Sequence, residues 1–129
     1  MGSLLEFWRD GSTRDPSRPD LRMYVTGDTI INEGLQSIPE RYPEIDLALL
    51  HLGGTRVMGV TVTMDADQGV EMLRTMRPQL SIPIHYNDYE AFKSPLEDFV
   101  TAVREAGLED RVAYLRHGET HDLGAARRA

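Results

Sequence analysis

Three apolar runs in the sequence meet side chains that can bind a metal. "MYVTGD" ends at Asp28, "LALLHLGG" carries His51 ahead of a glycine pair, and "SIPIH" ends at His85. Carboxylate and imidazole groups suit hard or borderline divalent ions such as zinc, manganese and iron. Strand ends backed by a rigid sheet are where α/β proteins place such groups. Each residue also has an ordinary explanation. Gly27-Asp28 is a common turn pair. His51, inside an apolar run, suits a core imidazole bonded to a backbone carbonyl, and His85 before Tyr86-Asn87-Asp88 suits the cap of a loop. His117 and His121, in the polar "RHGETHD" segment, read as solvated. Taken singly, the ordinary explanations win.

The elements that must position these groups follow from the hydrophobic pattern. Leu4 to Trp8 reads as a strand and Leu21 to Thr26 as its antiparallel partner, joined by the long loop "RDGSTRDPSRPD". Asn32 to Arg41 holds a short helix closed by Pro43. Ile45 to Leu52 is nearly all apolar, the pattern of a strand covered on both faces, and Val57 to Met64 is β-branched and alternating, again strand-like. Asp65 with Gln68 forms a capping box, followed by Val70, Leu73 and Met76 or Arg77 at helical spacing before Pro78. "LSIPIHY" is a buried strand ending at His85. Ser94-Pro95-Leu96-Glu97 is a second capping box, with Leu96, Phe99, Val100 and Val103 in one stripe and Gly107 as the stop. "RVAYLRH" reads as a last strand. The order predicts an α/β layer with helices on at least one sheet face.

Bulk properties exclude several classes. A chain of 129 residues is one domain, with no separate second one. Its 40% hydrophobic and 27% charged residues are soluble-protein composition. No apolar run of membrane-spanning length and no leader pattern is present, so no membrane partner is expected. Acidic residues outnumber basic ones by 21 to 14, which argues against nucleic acid, whose phosphates are bound by clustered Lys and Arg. The lack of cysteine rules out disulfides and thiolate metal sites, and fits a cytoplasmic location.

Together the motifs point to a family. "YVTGDT", "IDLALLHLGG", "VTMDADQGVEML" and "IPIHYNDYEAF", in this order and spacing, resemble the C-terminal half of the metallo-β-lactamase superfamily, nearest its ascorbate-6-phosphate-lactonase-like metal-dependent hydrolases. The resemblance runs from about Leu4 to Glu119. It implies half of an αββα sandwich over residues 1–129, a mixed sheet with helices on one face, and a one- or two-metal site along one sheet edge. By the same resemblance, Asp28 is the carboxylate that bridges two metals and His85 a ligand of one of them. Thr29, His51 and Asp65 line the edge outside the metal's immediate ligands. The ion expected is zinc or another divalent metal, manganese or iron.

The chain also departs from that family. The principal motif, His-x-His-x-Asp-His, is absent, as is the single His that follows it, and all four histidines here lie at or after position 51. A catalytic zinc needs about three protein ligands plus water, and a two-metal site needs ligands around both ions, roughly 3.5–4 Å apart. Asp28 and His85 alone are therefore not expected to activate water. The expected function is a metal-dependent hydrolase, or the C-terminal half of one, inactive by itself. The alternative is a non-catalytic half-domain that dimerises or docks to a partner. The runs "LALL", "VTV" and "SIPI" would leave a broad sheet face open. A second copy related by a two-fold axis or a separate N-terminal half would have to cover it.

Overall fold

Aliphatic runs of about five residues build the frame. A computed structural model describes residues 1–9, 17–53, 56–61, 64–86 and 96–126. In chain order the elements are β1 (Ser3–Phe7), β2 (Leu21–Val25), a 3-10 turn at Glu33–Gln36 leading into α1 (Ser37–Arg41), β3 (Leu47–His51), β4 (Arg56–Val57), β5 (Val60–Thr61), α2 (Ala66–Met76), β6 (Leu80–Ile84), α3 (Leu96–Glu105), a second 3-10 turn at Glu109–Arg111 and α4 (Leu123–Ala126). The main sheet has the order β1-β2-β3-β6. β1 and β2 are antiparallel, whereas β2, β3 and β6 run parallel. The fold is α/β with a mixed sheet, as the motifs implied.

Strand alternation sorts the side chains onto two faces. Tyr24, Ala48 and Leu50 point to one face, and with Leu52 they join Met64, Val70, Met72, Leu73, Met76, Phe99 and Val103 in a single buried cluster. This is the helix-covered face. Helix α2 starts as its sequence dictates. The Asp65 carboxylate accepts from Gln68 N–H at 2.9 Å, and the Gln68 side chain accepts from Asp65 N–H at 3.3 Å. Arg77 closes the helix in a left-handed conformation ahead of Pro78. Helix α3 ends in a Schellman turn. Leu108 N–H donates to Val103 and Gly107 N–H to Arg104, with Gly107 at φ +69°. Ser94 and Pro95, read as its cap, lie outside the described residues.

The other face is a second apolar surface. Leu5, Phe7, Met23, Val25, Leu49 and Ile84 project there by register. Leu5 is 41% and Phe7 46% exposed. Leu47 and Ile82 on this face are buried yet stand outside the main cluster. Leu123 of α4 lines a cavity with Leu21, Leu47 and Leu80, at the end of this face where the parallel strands begin.

Two expected strands are corrected. Val57 to Met64 is not one strand. Met58 and Gly59 both take positive φ, 51° and 81°, the signature of a two-residue type I′ turn that folds the run into the β4-β5 hairpin. Met64 then makes a lone parallel bridge with Leu52. "RVAYLRH" is not a strand either. It contributes one bridge, Val112 with Ser81, where Ala113 N–H donates to Ser81 at 2.9 Å. The outward-facing positions of β6 are Ser81 and Pro83, and Pro83 has no N–H with which to continue a ladder.

Gly69 sets how closely α2 approaches its neighbours. A Cβ there would stand 2.8 Å from the Phe99 ring and 2.9 Å from a Leu52 methyl, both buried. Gly to Ala inside a helix ordinarily stabilises by about 1 kcal/mol, but overpacking a filled core costs about 1–3 kcal/mol. Gly69→Ala should therefore destabilise the chain by about 1 kcal/mol in denaturant unfolding. A raised midpoint would show that the packing against α2 is looser than described.

Candidate metal centre

Parallel pairing brings three strand ends to one edge. β2, β3 and β6 all finish there, so Asp28 just beyond β2, His51 at the end of β3 and His85 just after β6 share one neighbourhood. The main chain turns sharply after β2 through Gly27, at φ +62°, where a Cβ would strike the Met1 carbonyl. Only glycine suits that turn. His85 also lies in the left-handed region, at φ +61°, a conformation uncommon for a non-glycine residue and often found at functional positions. Tyr86, packed against the core cluster, donates its hydroxyl to the Leu115 carbonyl at 3.2 Å and pins the chain just past His85.

Asp28 Oδ1 stands 3.5 Å from His85 Nδ1, with the Asp28 side chain 63% exposed and His85 25%. The His51 and His85 ring centroids are 5.4 Å apart and tilted by 50°. Thr26, fully buried, joins β2 to β3. Its Oγ1 accepts the His51 main-chain N–H at 2.9 Å and lies 3.4 Å from His51 Nδ1. Burial pushes the His51 imidazole below its usual pKa. The nearby His85 adds to this, and the Asp28 carboxylate partly offsets it. Thr29 keeps to its own loop, its hydroxyl donating to the Ile30 carbonyl at 3.3 Å. Asp65 spends its carboxylate on the α2 cap. His117 is exposed and His121 half-buried. Thr26 carried no expected role. The only signal for it was a hydroxyl at the end of an apolar strand, directly before Gly-Asp.

The donor pair fits a divalent ion. Ligand bonds of about 2.0–2.2 Å in tetrahedral geometry put neighbouring donor atoms roughly 3.4 Å apart, close to the 3.5 Å found between Asp28 and His85. Among the described residues, no three His, Asp or Glu side chains as they stand gather tightly enough to hold an ion.

No family model matches the chain. Individual relatives do. A UPF0173 metal-dependent hydrolase of Archaeoglobus fulgidus is 33% identical over 107 residues, covering 83% of this chain and 43% of the relative. One of Pyrococcus furiosus is 35% identical over 101 residues, covering 78% and 41%. Igni18, a metallo hydrolase from Ignicoccus hospitalis, superposes with a TM-score of 0.65 at 26% identity, over 93% of this chain and 51% of that one.

The chain is homologous to part of the UPF0173 metal-dependent hydrolases. The expected resemblance to metal-dependent hydrolases is upheld. An isothiocyanate hydrolase from Delia radicum gut bacteria shares the fold alone, with a TM-score of 0.70 at 16% identity over 79% of this chain and 39% of that one. The chain spans about two fifths of the UPF0173 relatives it matches, consistent with a C-terminal half. No helix among the described residues is long and apolar enough to cross a membrane.

The lowered His51 pKa has a measurable consequence. Below the ordinary imidazole value of about 6.5, the unfolded chain takes up a proton that folded His51 resists, so stability falls with pH there. Unfolding midpoints measured between pH 6.5 and 5.5 should drop more for the unaltered chain than for His51→Gln. Equal drops would show that the imidazole is solvated.

Proposed function

We propose that this chain forms the C-terminal part of a metal-dependent hydrolase site, with Asp28 and His85 as metal ligands and the remaining ligands supplied by another polypeptide segment. The observation that carries this reading is the 3.5 Å approach of Asp28 Oδ1 to His85 Nδ1 at the edge where the parallel strands end. A divalent ion held by Asp28 and His85, zinc or otherwise manganese or iron, would supply Lewis-acid polarisation of a carbonyl or phosphoryl oxygen and activation of water. Asp28 contributes negative charge and, being largely exposed, faces a second ion or segment. His85 contributes a ring nitrogen held in place by the pinned chain at Tyr86.

The open sheet face bears on the missing segment. Leu5, Phe7, Met23, Val25, Leu49 and Ile84 form an apolar surface that ends at the same edge as Asp28 and His85. A sheet from an N-terminal-type half, the part of the relatives this chain does not span, is the cover we favour. It would bury that surface and bring the further ligands to the site. A second copy related by a two-fold axis is the alternative cover. The cysteine-free composition fits a cytoplasmic setting. A second reading, a half-domain that docks without catalysis, draws on the want of three gathered ligands among the described residues.

Metal analysis separates the two readings. The chain purified without chelator and titrated with zinc or manganese should bind about one ion. Asp28→Ala and His85→Ala should each weaken binding by roughly tenfold or more, which is about 1.4 kcal/mol. A chain that takes up no metal, and whose unfolding midpoint ignores zinc, is the non-catalytic module. The open face is tested by sedimentation at micromolar concentration. Self-association that is abolished by charged residues at Leu5 and Phe7 marks that face as an interface. A well-behaved monomer would contradict the two-fold cover and leave the N-terminal-type half as the occupant to test by co-expression.

A further inference from the structure

We infer that His51 is a third metal ligand of this chain, presenting Nε2 to the ion that Asp28 and His85 would hold. The inference rests on the hydrolase reading above and deepens it. By alternation, the His51 side chain shares the open sheet face with Leu49 and stands at its metal-binding end. Two imidazoles on one tetrahedral zinc, with Zn–N bonds of about 2.0–2.1 Å, place their ring centroids about 5 Å apart. The His51 and His85 rings are 5.4 Å apart and tilted by 50°, an arrangement that needs little adjustment to converge on one ion.

Thr26 supplies the second argument. A metal-bound histidine nearly always gives its other ring N–H to an oxygen, which fixes the tautomer and the ring direction. The Thr26 hydroxyl donates its own proton to the Gly27 carbonyl at 3.1 Å. Towards His51 its oxygen therefore acts as acceptor, taking the main-chain N–H at 2.9 Å and facing Nδ1 at 3.4 Å. The proton then belongs on Nδ1, and Nε2 keeps the lone pair that a metal needs. As they stand the three side chains do not form a closed set, so binding requires side-chain adjustment, for which Asp28 at 63% exposed has more freedom than His85 at 25%. With His51 the chain would offer three ligands to one ion, and another segment would complete the site.

The test is zinc titration of the full chain, read by long-range proton–nitrogen NMR of the imidazoles and by competition with a coloured chelator. On zinc addition the His51 Nε2 resonance should shift together with that of His85, while His51 Nδ1 stays protonated. His51→Ala should lower affinity at least tenfold. Thr26→Val should lower it several-fold and Thr26→Ser should restore it, as expected of a positioning residue. The NMR reading on the unaltered chain decides the matter even if a variant fails to fold. Unmoved His51 resonances and unchanged affinity in His51→Ala, alongside loss in Asp28→Ala and His85→Ala, would overturn this inference and leave the hydrolase reading intact. Absence of zinc binding by the unaltered chain, or binding indifferent to all three residues, would overturn both.

Discussion

Everything at the candidate centre depends on β3 lying parallel between β2 and β6. Parallel pairing aligns the strands so that all three finish on one edge. An antiparallel β3 would carry His51 to the opposite end of the sheet, away from Asp28 and His85. The pairing persists past the formal strand ends. Thr26 N–H donates to the Leu49 carbonyl, Leu52 N–H to the Ile84 carbonyl, and the Thr26 hydroxyl receives the His51 N–H. These bonds hold the three ends in register as far as the residues that matter, and the buried Thr26 hydroxyl stitches β2 to β3 there.

The same parallel layer produces two apolar faces, and among the described residues one is covered by α2 and α3 while the other is covered only in part. Helices α2 and α3 close the face of Ala48, Leu50 and Leu52 so tightly that Gly69 leaves no room for a methyl group. The other face has α4 near one end and the candidate metal edge at the other. On the proposed reading, burial of a second sheet and completion of the ligand set would be one structural event. Whatever covers Val25, Leu49 and Ile84 would lie beside Asp28, His51 and His85.

Much of this was legible in the residues. The Asp65-Gln68 capping box forms as written, Gly107 stops α3 through its positive φ, and "GDT" and "IPIH" deliver Asp28 and His85 to one place from sites 57 positions apart in the chain. Failures came where one residue overrode a good pattern. The alternation of Val57 to Met64 says strand, but Met58-Gly59 prefers a tight turn, and the short hairpin wins. "RVAYLRH" has strand composition, but Pro83 on the facing edge offers no donor, so a single bridge is all that forms. Thr26 and the tautomer of His51 were invisible for another reason. Their role lies in hydrogen bonds between neighbouring strands, and spacing along one strand carries no trace of those.

The central claim is that Asp28 and His85 form one side of a divalent-ion site. Anomalous diffraction at the zinc edge, from crystals of the full chain grown with zinc, tests it most directly. A peak within bonding distance of both Asp28 and His85 is the result expected. Ordered zinc seen only elsewhere, for instance at His117 or His121, with Asp28 and His85 left facing each other across an empty gap, would contradict it.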